Sequence, residues 1–321
     1  MTTLVAITAH ADARRRRLGI HRALVTRQAN LGDCADARDV LRRLASPRYL
    51  RRPACVIPIR RRSQADQPTA ADLAVAVARR TLAHPHALPP AAIGAVVYCH
   101  VVPDEHTSES TAGRLQWELG LKAANPFAIS QAHHGALLVG LDIAAALVDG
   151  PEQLSAVLLV ASDKLLQESP AGAPRGLLFG DAAAAAIVCR DEDASGWRIE
   201  EVRTRHFALD AAPRRAWSAQ AATRFVAAGA MLIGDLLRRH AVDPARLGAI
   251  VTSVPDAALV ERIHRAAGLA APSLPVPAAA AVPDLLAALG RLHPAAPRGA
   301  PALAWTGGPN GEFACALMTR T

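Results

Sequence analysis

Short apolar runs of strand length alternate along the chain with alanine-rich segments in which apolar residues recur at helical spacing. The strand-like runs are 95–99, 156–161 and 183–189, and the helix-like segments are 69–82, 108–119 and 136–148. Such alternation is typical of α/β proteins, because crossover helices connect neighbouring strands of a sheet.

The last third of the chain shows the same alternation. It predicts strands at 197–203 and 247–252, helices at 223–240, 257–267 and 284–292, and a terminal hairpin of 302–305 with 313–318. The Pro/Ala-rich stretches 270–283 and 294–301 predict loops. Since both parts of the chain share one pattern, we predict two similar halves, residues 1–190 and 191–321.

Composition indicates a globular protein with a large core, since 51% of the 321 residues are hydrophobic and only 20% are charged. No apolar stretch is long enough and uncharged enough to span a bilayer. The first ten residues form a short apolar run followed by arginines, the reverse of a signal peptide. We therefore predict a cytoplasmic protein with no membrane span.

The chain carries a formal net charge of +8, which suits nucleic acid, an anionic carrier protein or a phosphate-bearing cofactor. Its arginine runs, Arg14 to Arg17 and Arg60 to Arg62, fit a solvated face or a docking site for anions. Aromatic residues make up only 3% of the chain, so the stacking platform of a single-strand binder is missing. We predict no nucleic-acid partner.

The sequence contains no pattern typical of a metal site or of a disulfide framework. The five cysteines form no CxxC pair and have no regular spacing, and the polar loop from His100 to His106 fits no zinc pattern. We predict reduced cysteines and no metal site.

One segment has the pattern that presents a reactive side chain. Residues 127–135, Phe-Ala-Ile-Ser-Gln-Ala-His-His-Gly, form a short apolar entry and a tight turn before a long alanine-rich helix. A residue in such a turn lies near the positive end of the helix dipole, which favours a thiolate or a developing oxyanion. With an imidazole at this place, the same field disfavours protonation.

This segment resembles the active-site turn of the ketoacyl synthase III family, in which a cysteine stands where His133 stands here. Three further passages resemble that family in its order and spacing: 160–163, 178–188 and the glycine loop 305–311. The resemblance implies the thiolase fold, with two similar βαβαβ halves in a five-layer αβαβα arrangement.

The resemblance also implies that the usual catalytic residues are changed. The family uses a cysteine that accepts the acyl group, and a histidine and an asparagine that stabilise the enolate. Ser253 stands near the place of the histidine, and in the stretch 277–284 no asparagine occurs and Asp284 is the nearest polar residue. Each lost donor costs about 3 kcal/mol of transition-state stabilisation. Ordinary Claisen condensation is therefore not expected, and an acyl group on His133 would be a labile acyl-imidazole.

Two functions remain open on this resemblance. In the first, His133, assisted by His134, is the general base that transfers an acyl group from a thioester to an alcohol or amine. The protein would be an acyltransferase or cyclase of specialised fatty-acid or polyketide-type biosynthesis, with Ser253 and Asp284 as further candidate catalytic residues. In the second, the chain is the catalytically silent subunit of a heterodimer with an active ketosynthase-like partner.

The expected ligand is a coenzyme A or phosphopantetheine thioester, bound as substrate, with no permanently bound cofactor. Gly307, Gly308 and Asn310 belong to the glycine loop and are the candidate substrate-binding residues. The expected partners are acyl-CoA or an acyl carrier protein, together with a second subunit in a homodimer or heterodimer. A third hypothesis is a basic binding module unrelated to thioesters.

Overall fold

The structure, a computed structural model, describes most of the chain beyond residue 67 and two short segments before it. The described ranges are 2–10, 23–24, 68–84, 87–101, 109–150, 154–164, 181–190, 196–207, 219–254, 256–270, 273–275, 282–293, 296–308 and 311–321. Both arginine runs, the polar residues 102–106 and Asn310 lie outside these ranges. Within them, no helix combines the length and the apolar character needed to cross a membrane.

Six α-helices lie in the described residues, each within a few residues of its predicted position. They are α1 Ala70–Leu82, α2 Thr111–Glu118, α3 Ala136–Asp149, α4 Ala219–Arg239, α5 Ala257–Ala266 and α6 Pro283–Leu292. Local chemistry fixes several of their starts. Thr69 and Asp72 form a capping box at α1, and Asp256 accepts a hydrogen bond from the backbone N–H of Leu259 in α5.

The described residues contain the predicted strands and several more. They are β1 Thr2–His10, β2 Ala23–Leu24, β3 Ile93–Cys99, β4 Asn125–Ile129, β5 Ala156–Asp163, β6 Ala182–Cys189, β7 Trp197–His206, β8 Ala249–Thr252, β9 Ser273–Pro275, β10 Pro301–Gly307 and β11 Glu312–Arg320. The predicted loop 270–283 is wrong at β9. This strand is three residues long and ends in proline, so it lacks a strand pattern and occurs at the edge of the sheet, beside β8.

The two halves of the sheet have the same topology. In the first, the order is β4-β3-β5-β6-β1, and in the second it is β9-β8-β10-β11-β7. In each half the first three strands of that order are parallel, and the remaining two reverse direction in turn. Strand β1 pairs with β7 and joins the halves into one sheet, and β2 adds beside β1.

The helices complete five layers. Helices α1 and α2 pack on one outer face of the first half, with Val96 and Leu158 beneath them. Helices α4 and α5 pack on the outer face of the second half, over Ile250 and Leu303. Helices α3 and α6 lie between the two halves in a shared core. Because neighbouring strand residues point to opposite faces, Val97 and Leu159 reach this central core. The predicted five-layer αβαβα arrangement is confirmed.

Hydrogen bonds that involve buried side chains fix the position of α6 in the central layer. Asp163, at the end of β5, accepts from the backbone N–H of Val101 at 2.8 Å and from that of Val282 at 3.1 Å. Val282 directly precedes α6, so one carboxylate of the first half positions a helix of the second. The indole N–H of Trp197 donates to the carbonyl of Leu289 at 3.1 Å and ties β7 to the same helix. The boundary at residue 190 stays a prediction.

The central helix α3 approaches the sheet closely at Gly140, and this generates a prediction. A Cβ built there would lie 2.5 Å from Sγ of Cys99 and 3.0 Å from Leu159. Gly140→Ala should therefore lower the free energy of unfolding by about 1–3 kcal/mol, because overpacking outweighs the better helix propensity of alanine. Urea denaturation measures the change.

Gly234 of α4 is the matched control, because its nearest neighbour is the flexible end of Arg238 at 3.4 Å. Gly234→Ala should raise the free energy of unfolding by about 0.5–1 kcal/mol. Equal effects of the two substitutions would contradict the close packing of α3.

Candidate active site

The turn before α3 holds His133 in a strained backbone conformation. The chain leaves β4, forms a 3-10 turn over His133–Gly135, and enters α3. The backbone N–H of His133 donates to the carbonyl of Ser130 at 3.1 Å. His133 has a φ of 46°, in the left-handed region that costs a residue with a side chain about 1–2 kcal/mol. Strain of this kind is typical of functional turns.

The start of α3 has no side-chain cap. The preceding turn supplies the first acceptor, because the backbone N–H of Ala136 donates to the carbonyl of His133. The positive end of the helix dipole lies at this turn. The prediction that His133 lies in a tight turn directly before a long helix is confirmed. Its catalytic role stays a prediction.

The second half of the chain closes the site. The turn His133–Gly135 packs against β10 and β11, and Gly135 faces the Cβ of Ala314. Gly308 follows β10, and a Cβ built on it would clash with the carboxylate of Glu312 and with the imidazole of His134. Glycine is therefore required at position 308, because the carboxylate and the imidazole both approach its backbone.

Burial controls the charge of His134. Loss of contact with water lowers its pKa to about 4, and the neighbouring His133 adds to the effect. His134 is therefore a neutral imidazole near pH 7.

The remaining predicted residues differ in how close they lie to this turn. Ser253 is buried directly after β8, and its hydroxyl lies 2.8 Å from that of Thr306, which precedes Gly307. Asp284 is buried in the first turn of α6. The structure therefore brings His134 and Gly308 into contact and links Ser253 to the same strand end. Roles for Ser253 and Asp284 in catalysis, and for Gly307 and Gly308 in substrate binding, stay predictions.

Glu312 is a residue that the sequence analysis missed. It begins β11, is 4% exposed, and lies beside the His133–His134 turn. Burial raises its pKa, while its own backbone N–H, the charge of His133 and the backbone N–H of His134 act in the opposite direction. The available signal was one charged residue directly after the glycine loop and before an apolar strand. A single charged residue at a strand start is usually solvent-exposed, so this signal alone does not predict a buried site residue.

Aromatic side chains support the glycine loop from behind. Phe313 stacks on Trp305 with ring centroids 5.4 Å apart and contacts Phe225 edge-on at 5.4 Å. A Cβ on Gly307 would lie 2.5 Å from the ring of Phe225. The indole N–H of Trp305 donates to Nε2 of His264 at 3.1 Å, so its polar atom is satisfied. The loop rests on a packed aromatic base.

Known proteins match this chain in structure but not in sequence. No family model and no curated protein matches the sequence. A 3-oxoacyl-(acyl-carrier-protein) synthase III structure matches with 19% identity and a TM-score of 0.69, covering 99% of each chain. A histidine-to-alanine variant of OleA from Xanthomonas campestris matches with 16% identity and a TM-score of 0.70, covering 99% of this chain and 98% of that one.

A further match is ChlB3, described as an acyltransferase, with 18% identity and a TM-score of 0.65. It covers 79% of this chain and 85% of that chain. Together with the five layers, these matches show that the chain has the thiolase fold of ketoacyl synthase III-type enzymes. The predicted fold class and the structural resemblance are confirmed.

The strain at His133 predicts a gain in stability when the side chain is removed. His133→Gly should raise the free energy of unfolding by about 0.5–1 kcal/mol, because glycine adopts a positive φ without a Cβ penalty. Chemical denaturation checks this. Ala241 is the matched control, since it has a φ of 52° just after α4. Ala241→Gly should be stabilising to a similar extent, and a loss of stability at 133 alone would show that the turn is not strained.

The lowered pKa of His134 predicts a pH dependence of stability. The unfolded chain takes up this proton at about pH 6.5, whereas the folded chain resists until about pH 4. The contribution of His134 is therefore fully present above pH 6.5, and about 3 kcal/mol is lost as the pH falls to 4. His134→Gln should remove this part of the dependence. Urea unfolding of both proteins between pH 7.5 and 4.5 measures it, and parallel curves would disprove the assignment.

Proposed function

We propose that this chain transfers acyl groups from coenzyme A or acyl carrier protein thioesters, with His133 as general base. The observation that carries the proposal is His133 itself, an imidazole held in a strained turn at the uncapped start of α3. The place of this turn in the thiolase fold supports the proposal, as does the presence of a described acyltransferase among the structural matches.

In the proposed step, His133 moves one proton from the acceptor to the leaving thiolate. Neutral His133 accepts the proton of an alcohol or amine while the oxygen or nitrogen bonds to the thioester carbonyl carbon. The carbonyl oxygen becomes an oxyanion, and the dipole of α3 favours the negative charge near its first N–H groups. The carbon–sulfur bond then breaks, and the thiolate takes the proton from His133. When the acceptor belongs to the acyl chain itself, the product is a ring.

Ordinary condensation is not part of the proposal. Ser253 is hydrogen-bonded to Thr306 within the structure, and a hydroxyl there does not replace a histidine donor. Decarboxylation would leave an enolate without its usual stabilisation. We therefore propose a role in specialised fatty-acid or polyketide-type biosynthesis as an acyltransferase or cyclase.

The partners follow from the same proposal. The net charge of +8 is compatible with an acidic carrier protein or with the phosphates of coenzyme A. The homodimer or heterodimer, the thioester ligand and the cytoplasmic location stay predictions.

Removal of the imidazole tests the proposal. His133→Ala should lower the turnover of acyl thioesters with alcohol and amine acceptors by about 10²–10⁴-fold, as expected for a general base. Release of free thiol and mass spectrometry of the acylated acceptor measure it. The control is His240→Ala, because His240 pairs with Glu201 beyond the end of α4. Turnover that is unchanged in His133→Ala would overturn the histidine mechanism.

The silent-subunit function is favoured by one observation, the engaged hydroxyl of Ser253 where a helper residue is expected. In that case the chain alone should have no turnover, and a ketosynthase-like partner should become active on mixing. His133→Ala should then activate the partner as well as the wild-type chain does. A partner that responds only to the wild-type chain would contradict the silent role.

A further inference from the structure

The indole of Trp305 depends on an imidazole for its hydrogen bond. Trp305 is fully buried, and its N–H donates to Nε2 of His264 at 3.1 Å. An indole nitrogen is a donor only, so Nε2 must present its lone pair and the proton of the neutral imidazole must be on Nδ1. The hydrogen bond therefore exists only while His264 is neutral.

A second histidine–tryptophan contact in the chain lacks this dependence. The rings of Trp197 and His293 meet edge-on with centroids 5.8 Å apart, and those of Trp305 and His264 meet edge-on at 5.7 Å. The indole N–H of Trp197, however, donates to the backbone carbonyl of Leu289, which does not titrate. Trp197 is therefore an internal reference for Trp305, with a similar ring contact and a different acceptor.

Solvent reaches His264 more easily than it reaches Trp305. His264 lies in the last turn of α5 and is half-buried, whereas Trp305 in β10 is fully covered. Burial lowers the pKa of His264 below its usual value, and the negative end of the α5 dipole acts in the opposite direction. His264 is therefore neutral near pH 7 and takes up a proton from more acidic water.

The charged side chains near His264 come from the two outer helices α4 and α5, and they are Arg224, Glu261, Arg262 and Arg265. All four are exposed, so water screens them, and Glu261 is already paired with Arg265. The strands β8, β9 and β10 contain no charged residue, and β11 carries charges only at Glu312 and Arg320. Among the described residues, no carboxylate forms an ion pair that would hold a protonated His264 in place.

The aromatic base connects this hydrogen bond to the candidate site. Trp305 stacks on Phe313, which in turn meets Phe225 edge-on. A Cβ built on Gly307 would lie 2.5 Å from the ring of Phe225 and 3.2 Å from that of Phe313, so the loop rests directly on these rings. Gly308 follows and lies against the turn before α3. A change at the indole therefore reaches the site through packed rings.

We propose that the hydrogen bond between His264 and Trp305 is a proton-operated latch beneath the glycine loop. The latch is closed while His264 is neutral. When water supplies a proton to Nε2, two N–H groups oppose each other, and the half-buried imidazole turns out to solvent because the buried indole cannot. The indole N–H then lacks an acceptor, which loosens its stack with Phe313 and the support of Gly307. The latch itself does not depend on the proposed function, whereas its effect on turnover rests on that function.

The latch is tested without substrate, by NMR of the full chain labelled with nitrogen-15. Between pH 7.5 and 5, the indole proton of Trp305 should move upfield with the same midpoint as the protonation of Nε2 of His264, below about pH 6.5. The indole proton of Trp197 should not follow this midpoint. Trp305→Phe identifies the signal, because it removes that resonance. A Trp305 proton that stays fixed while His264 takes up its proton would overturn the proposal, as would a His264 that stays neutral down to pH 5.

Two variants with different acceptors separate the latch from simple packing. His264→Gln keeps a carbonyl oxygen that accepts the indole N–H and does not titrate, so the Trp305 signal should stay downfield at every pH. His264→Leu removes the acceptor, so the signal should lie upfield already at pH 7.5. An unchanged Trp197 signal in each variant reports an intact fold. If the Trp305 signal of His264→Gln titrates as in wild type, the proton is taken up elsewhere and the latch is wrong.

The pH profile of acyl transfer tests whether the latch controls the site. Relative to its own rate at pH 7.5, the wild-type chain should lose turnover more steeply below about pH 6.5 than His264→Gln. Both His133 and His264 take up protons in the wild type, but only His133 does so in the variant. Coinciding profiles would contradict control of the site by the latch. If His133→Ala keeps full turnover, the proposed function fails, and the NMR midpoints still decide the latch.

Discussion

The structure depends on two helices, α3 and α6, that are packed between two sheet halves. Nearly every residue of α6 is buried, and α3 buries Leu138 and Leu141 in the same core. A helix between two sheets must present apolar side chains in nearly every direction, which makes the central layer the largest shared source of hydrophobic stabilisation. The carboxylate of Asp163 and the close approach at Gly140 then fix the position of this layer.

The site is a consequence of this central packing. Because α3 starts between the halves, the turn before it meets the hairpin β10–β11 of the other half. The turn His133–Gly135 of one half therefore lies beside the buried Glu312 of the other. Neither segment has this environment by itself, so the site exists only when both halves are assembled.

One architecture can carry different chemistry. The sheet, the central helices and the glycine loop set the positions, and side chains at a few of these positions set the reaction. A thiol stores an acyl group as a thioester, whereas an imidazole moves protons and gives only a labile acyl derivative.

Much of the fold followed from sequence pattern. The helices and the long strands beyond residue 90 were predicted because their apolar residues recur with the period of one buried face or as continuous buried runs, whereas the nine-residue strand β1 was not predicted. β9 was missed because three residues carry no period, and pairing with β8 decides its conformation. The short β4 was likewise recognised only as the apolar entry to the turn.

The sequence by itself determined the α/β pattern, the turn that presents His133 and the glycine loop, because each depends on residues close together in the chain. Only the tertiary structure decided the partners of these elements. It joined Ser253 to Thr306, and it placed His134 and the buried Glu312 against Gly308. The physical reason is that burial and contact depend on distance in space, and 178 positions separate Glu312 from His134 in the chain.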